Sequence, residues 1–97
     1  MSVNKIDYEV LRKASTDYNT QAAAIGDVMS KINAINSNLI GGWQNETSRA
    51  FIERYESDYK KKLENIQNAL AEISSYITTY VNEQIELDQR GANATRG

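Results

Sequence analysis

Apolar positions advance along this chain in alternating steps of three and four residues. In the first half they are Leu11, Ala14, Tyr18, Gln21, Ile25, Val28, Ile32, Ile35 and Leu39, with only Gln21 breaking the stripe. In the second half they are Tyr59, Leu63, Ile66, Leu70, Ile73, Ile77, Tyr80, Gln84 and Leu87, again with one glutamine. This is the knobs-into-holes period of a left-handed helix pair. The two-residue alternation of strands appears nowhere over more than a few residues. The pattern predicts an all-α protein: an antiparallel helix-turn-helix hairpin over residues 1–90, with helices over 8–39 and 47–89 and a turn over 40–46. The stripe residues Leu11, Tyr18, Ile25, Val28, Ile32, Ile35, Leu39, Tyr59, Leu63, Ile66, Leu70, Ile73 and Ile77 are the expected seam of the hairpin or of a dimer. Residues 91–97 carry no apolar side chain larger than alanine and read as a disordered polar tail.

Punctuation agrees with this division. The chain has no proline, the strongest helix terminator, and its glycines fall at Gly26, Gly41-Gly42, Gly91 and Gly97. An arm of about 32 residues makes a rod of roughly 48 Å. Two such rods bury one stripe each and leave much of a small protein wet. Val10, Ala22, Ala24 and Met29 flank the first stripe and need a further surface. The expected answer is a dimer whose two hairpins form a four-helix bundle. Ala22-Ala23-Ala24 with Gly26 marks the candidate for closest helix approach.

The turn holds the only tryptophan and the only phenylalanine, in the stretch GGWQNETSRAF, Gly41–Phe51. Gly41 and Gly42 are expected to supply positive φ for the reversal. Asn45 or Thr47 can cap the second helix, with Glu46 near its positive end. Trp43, between break and cap, can close the open end of the hairpin, its indole N–H reaching a free carbonyl. As a staple it needs no further role; a recognition label is the alternative reading.

Composition then removes whole classes of function. There is no cysteine and no histidine, so disulfides, the usual zinc sites and the commonest general base are absent. Eleven Lys and Arg against thirteen Asp and Glu, with Lys60-Lys61-Lys62 as the one basic run, give no nucleic-acid footprint. The acids Glu53, Glu56, Asp58 and Glu64 spread along a helix, and Ser48, Ser74 and Ser75 have no histidine to activate them. No catalytic, cofactor-binding or metal-binding residues are assigned, and no small-molecule substrate is expected. The longest unbroken apolar run, Ala22–Ile25, cannot span a membrane, and the polar start lacks the apolar core of a signal peptide.

With Trp43 in a turn between two long helices, and Phe51 eight residues beyond it, the chain resembles the WXG family. These are small ESAT-like proteins exported by type VII secretion systems. The resemblance covers nearly the whole chain. It implies a helical hairpin pairing as a homo- or heterodimer, export without a cleaved signal peptide, and engagement of a membrane-embedded ATPase translocon. Carried over, the turn motif is Gly42, Trp43 and Asn45, with Asn45 where the family has glycine; asparagine is the side chain that best tolerates the left-handed region. The family's second signal is Tyr-x-x-x-Asp/Glu near the end of the second helix. Here Tyr80 is followed by Glu83 at the third position and Gln84 at the fourth, a degenerate version.

The implied function is a non-enzymatic, secreted type VII substrate made in the bacterial cytoplasm and acting as a hairpin dimer. Its partners would be a second copy or a related small helical protein, and the secretion ATPase. One alternative is a targeting chaperone for the helical N-terminal domain of a larger exported toxin. Another is an intracellular structural coiled-coil adaptor.

Overall fold

Asp7 starts the first helix. Its side chain accepts hydrogen bonds from the backbone N–H groups of Glu9 and Val10 at 3.1 and 3.2 Å, satisfying donors that have no partner inside the helix. From there α1 runs without interruption from Tyr8 to Gly42. The computed structural model describes residues 5–96, and side-chain surroundings for residues 5–91.

Helix α1 ends three residues later than the glycine doublet suggests. Gly41 and Gly42 lie inside its last turn, and no described glycine has a positive φ. The reversal falls instead on Trp43, Gln44 and Asn45. Trp43 takes extended backbone angles, φ −143° and ψ 97°, and Asn45 is likewise extended, φ −156° and ψ −176°. A three-residue extended link needs no left-handed residue, which is why the doublet is free to remain helical.

The second arm is continuous from residue 46 to residue 96 but is not one regular helix. Helix α2, Glu46–Arg54, passes through a π-helical turn, Tyr55–Tyr59, into α3, Lys60–Arg96. At the exit, Lys60 N–H donates to the Tyr55 carbonyl, five residues back. A π-turn accommodates one extra residue and so offsets the faces on either side of it. Sequence at this point explains the offset. The inward lines of α3 run through Lys60, Gln67, Ser74 and Val81, and through Leu63, Leu70, Ile77 and Gln84. Extended back seven residues at a time in a regular helix, they would bring Glu53 and Glu56 inward. With one residue added, Ile52 and Tyr55 occupy those places, and Ser48 follows one heptad earlier. Ser48 and Tyr55 are buried, Ile52 is half-buried, and both glutamates are exposed.

Helix α3 also runs past the expected end at Gln89, reaching Arg96, with Gly97 of the expected tail outside the described residues. No proline stops it, and one glycine in a helix interior costs only about 1 kcal/mol relative to alanine. The arm of 51 residues spans roughly 76 Å at the α-helical rise, and the longest dimension of the molecule is 76 Å, against 29 and 19 Å across.

The two arms pack antiparallel. Near the end remote from the turn, Tyr8 donates its hydroxyl proton to Asp88 at 2.7 Å. In the middle, the Ser15 hydroxyl contacts the Ser74 carbonyl, the Ser74 hydroxyl and the Thr78 hydroxyl at 2.9, 3.0 and 2.6 Å, while the Ser74 hydroxyl donates to the Ser15 carbonyl at 2.8 Å. One heptad further on, Gln67 donates to the Ala22 carbonyl at 3.1 Å. Gly26 leaves room for this amide: a Cβ there would sit 3.0 Å from Gln67 Nε2. Ala22 and Gly26 thus lie against α3 at this glutamine.

Candidate functional site

This seam differs from the expected one in its rotation. On α1 the inward line is Tyr8, Ser15, Ala22, Met29 and Asn36, with Trp43 seven residues on in the link, each half-buried or buried. Beside it Leu11, Ile25, Ile32 and Leu39 are half-buried. The apolar core within one chain is thin: among the described residues only Ala22, Tyr55 and Val81 are buried hydrophobics, with Val81 at 1% exposure. The enclosed Tyr55 hydroxyl has no hydrogen-bond partner among the described residues.

The remainder of the stripe faces outward. Tyr59, Ile66, Ile73, Tyr80 and Leu87, again every seventh residue, are 36–54% exposed. On α1, Tyr18, Val28 and Ile35 are exposed as well. Both exposed sets lie on the same side of the hairpin. In each helix a step of three residues from the inward line leads to the shared line, and another step of three leads to the outer line. Equal rotations in two antiparallel helices turn toward one face. Of the sequence-assigned seam residues, Leu11, Ile25, Ile32, Leu39, Leu63, Leu70 and Ile77 are thus half-covered by the hairpin itself, while Tyr18, Val28, Ile35, Tyr59, Ile66 and Ile73 form an open apolar face.

The hairpin as a whole exposes much surface for its mass. The chain exposes 7607 Å² at 10.9 kDa, whereas a compact monomer of that mass exposes about 5,600 Å². The excess, about 2,000 Å², exceeds what one partner contributes to a standard interface, about 800 Å².

At the turn end the geometry is tight and locally determined. Asn45 caps α2 by accepting from Ser48 N–H at 2.9 Å, and Asn45 N–H donates back to the Ser48 hydroxyl at 3.0 Å. The two make a reciprocal capping box, so the cap is Asn45 and not Thr47. The Trp43 and Phe51 rings lie 6.0 Å apart at a tilt of 42°, a favourable aromatic separation. The Trp43 indole N–H makes no hydrogen bond to the described residues, so the expected bond to a carbonyl is not formed. An open hollow lies beside the ring, lined by Ile40, Trp43, Asn45, Arg49 and Ile52 among others. Gly42 has nothing within 4 Å of where a Cβ would stand.

Tyr80, Glu83 and Gln84 lie at the other end of the same rod. Tyr80 borders a hollow with Ile6, Val10 and Leu11 at the start of α1. Glu83 is exposed and Gln84 is half-buried. Some 34 residues of helix, roughly 50 Å, separate Tyr80 from the start of α2. One hairpin therefore does not bring the two sequence-assigned signals together. The inward line of small and polar residues, and the π-turn, escaped the sequence reading. Their signal was the seven-residue recurrence of Ser15, Ala22 and Met29, and the two successive four-residue steps Tyr55, Tyr59 and Leu63, where a regular stripe has a three.

The pattern of the WXG100 family, described as proteins of 100 residues with WXG, matches residues 4–89. The chain belongs to the WXG100 family. Among solved structures, this family member resembles Geobacillus thermodenitrificans EsxA, crystal form I, with a TM-score of 0.75 at 23% identity. The match covers 94% of this chain and all of that one, and at that identity it bears on the fold. No curated protein is significantly similar in sequence. In this chain the second helix begins at the Asn45–Ser48 capping box, with Asn45 in an extended conformation. Among the described residues no helix is long and apolar enough to cross a membrane.

Proposed function

We propose that this WXG100 protein is a non-enzymatic type VII secretion substrate, made in the bacterial cytoplasm and exported as a folded helical-hairpin dimer. The observation that carries the reading is the distribution of its parts along the rod. Trp43 and Asn45 shape one end, Tyr80 with Glu83 and Gln84 lies toward the other, and an apolar face joins them. A second hairpin laid head to tail on that face, either a copy of this chain or a related small helical protein, covers the open surface. It also brings the turn of one chain toward the Tyr80 segment of the other. The composite end so formed is a recognition element for the secretion ATPase, to which the polar end of α3 is added. Secretion, not catalysis, is the activity this arrangement serves.

A second reading has one observation in its favour. Tyr80 has its acid, Glu83, three residues on, and Gln84 at the fourth position. The chain with the weaker signal then acts as a targeting chaperone, riding with the helical N-terminal domain of a larger exported toxin. The test of the first reading is export of Trp43→Ala from a host with an active translocon. The variant is expected to stay helical and remain in the cell; equal amounts in the medium from wild type and a stably folded variant would contradict it. Stoichiometric co-purification with a larger protein, without self-association, would favour the chaperone.

A further inference from the structure

The π-turn divides the second arm into two parts that are held very differently. Among the described residues, the side-chain hydrogen bonds that cross the hairpin all join α1 to α3: Tyr8 to Asp88, Ser15 to Ser74 and Thr78, and Gln67 to Ala22. None joins α1 to α2. Backbone approach follows the same division, close between α1 and α3 and sparse between α1 and α2. What holds α2 in place is the Trp43–Phe51 ring pair at 6.0 Å and the inward placement of Ser48, Ile52 and Tyr55.

One of those inward groups opposes the closure. Tyr55 is 5% exposed, and its enclosed hydroxyl has no hydrogen-bond partner. A desolvated hydroxyl left unpaired disfavours the closed arrangement relative to one in which water reaches it. Tyr55 is also the first residue of the π-turn, so the opposing group sits where the arm changes direction. Segments with few buried contacts open locally at a lower cost than the rest of a fold, and π-turns recur at functional sites.

The π-turn cannot relax while α2 stays closed. Returning Tyr55–Tyr59 to α-helical spacing turns α2 by one residue, about 100°. Ile52 and Tyr55 then leave the seam, and the carboxylates of Glu53 and Glu56 point into it, where they lose water without gaining a cation. On the outside of the turn a brace spans the junction. Asp58 pairs with Arg54 at 3.8 Å and with Lys62 at 3.3 Å, and Lys60 pairs with Glu56 at 3.3 Å. The Arg54 and Lys62 cations lie 5.6 and 5.7 Å from the centre of the Tyr59 ring. This brace keeps α2 joined to α3 as one rod when α2 leaves α1. The hollow beside Trp43 has Ile40 and Trp43 on one wall and Arg49 and Ile52, from α2, on the other. Movement of α2 therefore changes its width.

We propose that α2 is a hinged lid that swings about the π-turn, closing the hollow beside Trp43 when Ile52 and Tyr55 turn inward and opening it when the Tyr55 hydroxyl reaches water. The device belongs to a single hairpin. It rests on neither export nor the identity of a partner.

Hydrogen exchange on the purified full-length chain tests it, with amides of residues 50–59 compared with those of residues 63–84. In wild type the first group is expected to exchange at least tenfold faster. Tyr55→Phe keeps the ring and removes the unpaired hydroxyl, so exchange over residues 50–59 should slow roughly tenfold while residues 63–84 stay unchanged. A second variant removes the hinge. Ser57 is exposed, and deleting it leaves Ser48, Ile52 and Tyr55 whole heptads from the inward lines of α3, so a regular helix and a closed lid become compatible. This deletion should keep the thermal midpoint at or above that of wild type and slow exchange over residues 50–59. Deletion of the exposed Ser75, in the regular part of α3, should lower the midpoint instead. Both segments exchanging together in wild type would overturn the proposal. So would Tyr55→Phe exchanging as fast as wild type or faster, or a Ser57 deletion that loses helicity or leaves the exchange of residues 50–59 unchanged.

Discussion

Ser15 is the most connected side chain of the seam, and its removal tests whether polar contacts hold the two arms in register. Ser15 is buried at 7% exposure. Its hydroxyl lies 2.9 Å from the Ser74 carbonyl and 2.6 Å from the Thr78 hydroxyl. Ser15→Ala removes little volume, so no sizeable cavity term enters. What it removes is a hydrogen-bonded hub: the Ser74 carbonyl loses the hydroxyl donor of residue 15, while the Ser74 hydroxyl keeps its bond to the residue-15 carbonyl. Thr78 is exposed and can turn to water. The net cost is therefore one buried hydrogen bond plus part of one desolvation penalty, about 1–2 kcal/mol. For a chain of this size each kcal/mol shifts the thermal midpoint by about 4–8 °C, so a fall of roughly 5–15 °C is expected. The assay is thermal unfolding followed by circular dichroism, with wild type and variant at matched concentrations because association contributes to the midpoint. The triple change Ser15→Ala, Ser74→Ala and Thr78→Val removes all three hydroxyls and should recover most of the loss, since no group is left unpaired. An unchanged or higher midpoint for Ser15→Ala alone would refute the argument that this cluster stabilises the hairpin.

Three further outcomes follow from the local geometry. Gly41→Ala should raise stability by about 0.5–1 kcal/mol in urea unfolding, because Gly41 is helical and nothing stands within 4 Å of the added methyl; a loss would mean that the turn needs the glycine. Asn45→Ala should cost about 1 kcal/mol through the capping box and lower the urea midpoint, whereas Asn45→Asp should keep most of the stability. The Tyr8 phenol is held above the ordinary value of 10.0, first by its hydrogen bond to Asp88 and then by burial and the charge of Asp88. A raised folded value means that this contact stabilises at all pH below 10 and is lost as pH rises through the folded value. In an alkaline absorbance titration a component above the ordinary tyrosine value should therefore vanish in Tyr8→Phe, and that variant should lose stability at neutral pH but not at strongly alkaline pH.

The hairpin was legible because its evidence is periodic. Two stripes with steps of three and four, no proline, and one turn-rich stretch leave a helix pair as the only economical answer. The side of each helix that faces its own partner was not legible. Large apolar residues mark the most hydrophobic face, and the reading placed the seam at the centre of that face. In the structure the intrachain seam lies at one edge of it, along Ser15, Ala22 and Gly26, because small side chains and a carbonyl-seeking glutamine permit closer approach than isoleucines do. The larger residues are left for another surface. The glycine doublet misled for a related reason: glycine permits a positive φ but does not require one, and Asn45 with Ser48 supplies the start of α2 by hydrogen bonding instead. The π-turn was visible only as a slip in spacing around Tyr55 and Tyr59, a one-residue signal that a stripe starting at Tyr59 passes over. At the turn, Trp43 and Phe51 were recognisable as a pair by type, while their separation depended on where α1 ends.

The central claim is that the open apolar face of one hairpin closes on the same face of a second. Sedimentation equilibrium of the unmodified chain, run from low to high micromolar concentration, reads this directly. The account predicts a species of twice the 10.9 kDa chain mass, dissociating only on dilution and losing helicity as it does so. A single helical species at the chain mass across the whole range would contradict it.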